Sequence, residues 1–109
     1  MKMIIAIVQD DDEAVLTQAF QDHNIRATKL STTGGFLRAG NTTFMIGIED
    51  QEVPTVLEVI KECSERRQQF VPLPTNYDVD FDMTQTYPVQ VEVGGATVFV
   101  LPIEGFYRF

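Results

Sequence analysis

The residues best equipped for chemistry lie between Arg26 and Thr43. Gly34, Gly35 and Gly40 stand there among Arg26, Lys29 and Arg38, with Phe36-Leu37 and Asn41 between them. Glycines let successive backbone N–H groups turn toward an anion. The planar fork of arginine suits phosphate. Phe36 offers a flat apolar surface, and Asn41 an amide that can read a base edge. The combination describes a pocket for a small molecule that carries both phosphates and aromatic rings. The same residues also describe a β-hairpin with a Gly-rich turn, a common form of punctuation.

Other constellations are weaker. Gly35-x4-Gly40-Asn41-Thr42 is one residue from a Walker A loop, but Asn41 stands where the lysine belongs and a strand follows where a helix is needed. Asp78, Asp80 and Asp82 have the opening spacing of a calcium loop, yet Met83 occupies the glycine place, so a solvated acidic loop is expected. His23 has no second histidine to share a metal with, and it reads as a helix cap. Cys63, the one cysteine, reads as a small core residue. The competing reading is a reactive thiol with Arg66 and Arg67 one turn away. A small acyl-phosphate hydrolase would need a phosphate-binding loop after the first strand. That place holds Gln9-Asp10-Asp11-Asp12, which repels phosphate, so no catalytic residues and no metal site are expected.

Composition narrows the class. With 109 residues, 44% of them apolar, the chain suits one domain, residues 1–109, with a sizeable core. A formal net charge of −8 disfavours nucleic-acid polymers and acidic membranes as partners. An anion must then be met by a local basic site. The apolar run Met3–Val8 is too short for a signal-peptide core, and the cytoplasm is the expected compartment.

Periodicity supplies the elements that would position these residues. Met3–Val8 reads as a strand buried on both faces, and 11–23 as a helix whose apolar face is Val15, Leu16, Ala19 and Phe20. In a strand over 25–33, Arg26, Thr28 and Leu30 share one side, with Asn24 extending the row. A return strand over 42–49 carries Gly47, where something must come close to the backbone. A second helix is expected over 53–67, then a long acidic loop at about 69–88 whose Tyr77 and Phe81 would dock on something. Strands over 89–93 and 96–103 flank Gly94-Gly95, a hairpin signal. The order is an α+β, ferredoxin-like βαββαβ with an extra C-terminal strand. Its second sheet face would need a cover, and self-association into a closed cyclic oligomer is the economical one.

At this point a resemblance enters. Asn24–Leu30, the run Thr32-Thr33-Gly34-Gly35-Phe36-Leu37-Arg38-Ala39-Gly40-Asn41-Thr42-Thr43 and Val91–Val100 resemble the PII-like cyclic-di-AMP receptor proteins of Gram-positive bacteria, and the likeness runs the length of the chain. It implies a non-enzymatic homotrimer with a PII-like fold and no cofactor. The ligand, cyclic-di-AMP, would lie in clefts between subunits and signal to an unidentified downstream protein. It implies movement of the long loop and the Gly34–Gly40 turn on binding. Carried over by position, the contacts fall on Asn24, Arg26 and Thr28 from one subunit. Gly35, Phe36, Leu37, Asn41 and Gly47 come from its neighbour or the adjoining strand, and Phe99 lines the same pocket. Arg108 stands where the family has a glutamine, placed to stack on the second adenine or reach a phosphate. Two alternatives stay beside this reading: a PII-type regulator that binds ATP, and a trimeric divalent-metal-binding protein.

Overall fold

The computed structural model describes residues 1–30, 40–72 and 88–109. The chain runs β1 (Lys2–Gln9), α1 (Glu13–Asp22), β2 (Thr28–Leu30), β3 (Asn41–Ile48), α2 (Val53–Ser64), β4 (Arg67–Pro72), β5 (Pro88–Val93) and β6 (Ala96–Pro102). A four-stranded antiparallel sheet has the order β2-β3-β1-β6, and β4 pairs with β5 alone. Two helices and an antiparallel sheet in this order make an α+β domain compatible with the ferredoxin-like fold.

The alternation of β1 sets the layers. Ile4, Ala6 and Val8 are buried and, with Phe44, Ile46 and Ile48 of β3, face the helices. Leu16 and Phe20 of α1 and Val56, Val59 and Ile60 of α2 complete this core. Phe20 meets Phe44 edge-on at a centroid distance of 5.4 Å, a geometry worth about 1 kcal/mol beyond its area. Val15 stands exposed instead of joining the expected face, because the buried stripe of this helix runs through Leu16 and Phe20. On the opposite face of the sheet, Met3, Ile5, Ile7 and Met45 are only half-buried. Ile5 sits between Met45 and Phe99, and Met3 between Gly47 and Leu101.

α1 closes as its last residues dictate. Asn24 adopts a left-handed φ of 56°. Its N–H donates to the Gln21 carbonyl at 3.1 Å, and the Ile25 N–H donates to the Phe20 carbonyl at 2.8 Å. This is a Schellman closure, with asparagine in the place glycine usually takes and buried Ile25 against Phe20. His23 is the cap residue, its Nδ1 2.9 Å from the Ala19 carbonyl. Glu13, bonded to Thr17 and paired with Lys29 at 3.3 Å, ties α1 to β2. These partners hold its carboxyl below the ordinary value.

Four expectations are corrected. The strands flanking Gly94-Gly95 do not form a hairpin with each other: β6 pairs with β1, and β5 with β4. Both glycines have positive φ, but they turn the chain out of one sheet and into another. The additional strands are therefore inserted between α2 and the last sheet strand. The expected extra C-terminal strand is itself the sixth element of the βαββαβ order, and the chain after Pro102 forms no strand. α2 ends at Ser64, three residues early, because Glu65 turns to an extended ψ of 143°. Arg66 and Arg67 thus leave the helix for the ribbon, and 67–72, half expected as loop, is a strand. The Asp78–Asp82 run with Tyr77 and Phe81 lies outside the described residues.

The root of the β4–β5 ribbon is pinned to the end of β1. Arg67 Nη2 donates to the buried Asp12 Oδ1 at 2.7 Å. The Gly94 N–H donates to Gln9 Oε1 at 2.8 Å, and the Gly95 N–H to the Ser64 carbonyl. The same corner holds the start of β3: the Asp10 N–H donates to the Gly40 carbonyl, and Thr42 Oγ1 to Asp10 Oδ1. The acidic run after β1 therefore serves as an anchor.

Candidate functional site

On the sheet face away from the helices, a cleft of about 490 Å³ opens over β2 and β3. Its size falls within the roughly 300–1,000 Å³ of small-molecule sites. Arg26 and Thr28 line it from the β2 side, Met45 and Gly47 from β3, and Phe106 and Arg108 from the C-terminal tail. Of the strand expected over 25–33, the described residues form only Thr28–Leu30, so Arg26 precedes β2. Ile25 and Ala27 pack on the core and also border the cleft, while Arg26 and Thr28 are exposed in it. Thr28 is the register partner of Met45, which puts Gly47 beside the row that Arg26 continues.

The tail joins by a separate route. The Ile103 N–H donates to the Met1 carbonyl at 3.2 Å, which carries the chain back along the sheet. The Phe106 ring then lies against the backbone at Gly47: a Cβ there would stand 3.4 Å from Phe106 Cε2. The guanidinium carbon of Arg108 sits 6.0 Å from the centre of the Phe106 ring.

The electrostatics of the cleft run against those of the chain. In a molecule of net charge −8, its lining carries two arginines and no carboxylate. Neither Arg26 nor Arg108 forms an ion pair among the described residues. Two uncompensated cations, a threonine hydroxyl and apolar walls suit a ligand with more than one anionic group and an apolar body. A smaller groove of about 370 Å³ between α2 and β6 sets Glu65 beside Lys61 and Arg66, so its charge is already partly balanced.

The residue profile of the cyclic-di-AMP receptor family matches the chain over residues 1–109. The chain belongs to the cyclic-di-AMP receptor family. A solved structure described as a functionally unknown protein from Pediococcus pentosaceus is similar in fold, with a TM-score of 0.79. It is 56% identical in sequence, and the match covers 99% of this chain and 96% of that one.

For this family member the structure brings Arg26, Thr28, Gly47 and Arg108 to one cleft. Gly47 thus comes from the strand adjoining Arg26 and Thr28 in the same chain. Asn24, Asn41 and Phe99 do not line it. Asn24 is exposed at the end of α1, where its left-handed backbone breaks the row that Arg26 begins. Asn41 opens β3 opposite Gln9, six residues and about 20 Å of strand from Gly47. Phe99 shares the open face but lies on β6, separated from Thr28 by β3 and β1, about 14 Å at ordinary strand spacing. Gly35, Phe36 and Leu37 lie outside the described residues. Four lining residues were missed in the sequence: Ile25, Ala27, Met45 and Phe106. Met45 was findable as the same-face neighbour of Gly47. Phe106 left no signal beyond being aromatic.

Cys63 is packed against the core. Burial, first, and then the nearby Glu62 and Asp12 carboxylates push its thiol above the ordinary range. Arg67, expected as an activating neighbour, is engaged by Asp12. Since only the thiolate attacks, alkylation of the native protein by iodoacetamide at pH 7.5 should run slower than in urea. Equal rates would show an accessible, activated thiol.

Proposed function

We propose that the chain is a non-enzymatic cytoplasmic sensor that binds cyclic-di-AMP in clefts between the subunits of a homotrimer. The observation that carries this reading is the pairing of Arg26 and Arg108, free of acids, in a cleft on a sheet face left half-open in one chain. Cyclic-di-AMP offers two phosphates to the arginines and two adenines to apolar walls. A family described as a cyclic-di-AMP receptor supports the ligand and a role in signalling.

Self-association is supported by what one chain leaves uncovered. Phe99, 52% exposed, and Leu101 extend the apolar open face, and β6 is an edge strand. Exposed apolar faces and unpaired edges are costly to leave in water and serve as association surfaces. In this reading, packing of further copies on this face sets a neighbour's Asn41 and Phe99 beside the cleft, as the family resemblance implies. It also accounts for site residues that a single chain keeps apart. Asn24, at the mouth of the Arg26 row, meets the ligand from its outer side. Ligand binding then changes the surface offered to a downstream protein. The β4–β5 ribbon, which pairs with no strand of the main sheet, is the element best placed to report it.

The test is isothermal titration calorimetry with cyclic-di-AMP, with cyclic-di-GMP and ATP as controls. Saturable binding of cyclic-di-AMP alone, at one ligand per chain, is expected. Heat from ATP and none from cyclic-di-AMP would replace this reading with an ATP-sensing PII-type regulator.

A further inference from the structure

We infer that Phe106 is a positioning residue for this ligand site, acting through Arg108; the inference rests on the cyclic-di-AMP reading above. Arg108 lies at the end of a tail whose last backbone tie to the sheet, among the described residues, is the Ile103 N–H to the Met1 carbonyl. Four residues separate Ile103 from Arg108. An arginine so placed loses substantial rotamer and backbone freedom on gripping a phosphate, and the loss subtracts from affinity. The Phe106 ring removes part of that freedom beforehand. It seats on the bare backbone of β3 at Gly47, with Ile103 Cδ1 beside it at 3.9 Å from the position a Cβ would take. Its other service is electronic. The guanidinium of Arg108 stands 6.0 Å from the ring centre, within the range where the negative face of an aromatic ring attracts a cation.

The chain of support is therefore Gly47, Phe106, Arg108 and then anion. At Gly47 a Cβ would stand in ordinary contact with the ring, 3.4 Å from Phe106 Cε2, so alanine fits and only a longer side chain would move the seat. The arrangement also explains how a cation can be kept at a cleft with no carboxylate to hold it. A carboxylate would neutralise the arginine. A ring face orients it and leaves its charge for the ligand.

The experiment measures cyclic-di-AMP affinity by calorimetry at low and high salt for the wild type, F106L, F106Y, R108A and F106L/R108A. Leucine keeps an apolar seat on Gly47 but has no ring face; tyrosine keeps the ring. Size-exclusion and melting profiles accompany each variant. F106L should bind about tenfold more weakly but keep part of the salt dependence that R108A loses, because it frees the Arg108 charge from its seat while R108A removes the charge itself. F106Y should bind within about twofold of the wild type, since the ring face is retained. Adding F106L to R108A should cost no more than about twofold further, as expected of two residues acting as one unit. The inference is overturned if F106L binds like the wild type. It is equally overturned if its loss appears in full on top of R108A, which would make Phe106 an independent contact. Absence of wild-type binding would overturn the cyclic-di-AMP reading itself, an outcome distinct from either.

Discussion

Replacing Arg26 with alanine should weaken cyclic-di-AMP binding by about 10- to 150-fold, the equivalent of the roughly 1.5–3 kcal/mol of hydrogen bonds to a charged group. The side chain is exposed in the cleft, forms no ion pair among the described residues, and stands outside the core. The fold should therefore not notice the change: melting temperature and oligomeric state stay as in the wild type. Arg26→Lys should recover only part of the affinity, because an ammonium supplies charge without the planar fork. Calorimetry beside size-exclusion chromatography checks both halves. If Arg26→Ala instead dissolves the oligomer, Arg26 is an interface residue, and the cleft loses its principal anion ligand.

The second large effect concerns stability. Arg67→Ala should lower the unfolding free energy by about 2–3 kcal/mol, below the 3–5 kcal/mol of a fully buried pair because the arginine is half exposed. The physical reason lies with its partner. The Asp12 side chain is 5% exposed, and its Oδ2 already lacks a hydrogen-bond partner among the described residues. Removing Arg67 leaves this carboxylate buried and unpaired. Adding Asp12→Asn to Arg67→Ala should restore part of the loss, since a neutral amide costs less to bury than a charge. A drop in melting temperature of roughly 10 °C is the expected readout for a domain of this size. A variant that melts with the wild type would mean the pair contributes nothing measurable. Faster amide exchange in β4 and β5 should accompany the loss, because Arg67 opens β4 and packs its guanidinium against the backbone at Gly94.

Much of this was legible along the chain. Met3–Val8 announced a strand by its unbroken apolar run, and it pairs on both edges. Only the Ile4, Ala6 and Val8 face is buried, however, and the other expected buried face is half-open in one chain. The alternation through Arg26 and Thr28 placed both on the face away from the core, and the structure lines a cleft with them. Gly47 was marked because a glycine inside a strand invites close approach. What approaches is Phe106 of the same chain. The Gly94-Gly95 pair misled for a definable reason. Two glycines with positive φ are needed both for a tight hairpin and for a chain that leaves one sheet for another. Local preference cannot tell these apart, because the choice depends on whether β1 offers a free edge. The early end of α2 was hidden similarly. Arg66 and Arg67 suit a helix terminus by charge, but buried Asp12, 55 residues away along the chain, claims Arg67 for the ribbon root.

The sequence by itself determined what depends on neighbours in the chain: the two helices, the alternation of the sheet strands and the family. These are set by backbone preference and by which side chains recur on one side. Tertiary structure alone decided which strand edges meet and where the chain's few cations stand relative to its many acids. It turned the acidic run Asp10–Asp12 into an anchor that binds Arg67 and Thr42, and it folded the tail back so that Arg108 faces an acid-free cleft with Arg26. Charge at a distance acts through space, so the composition of the chain as a whole says nothing of the field at one cleft.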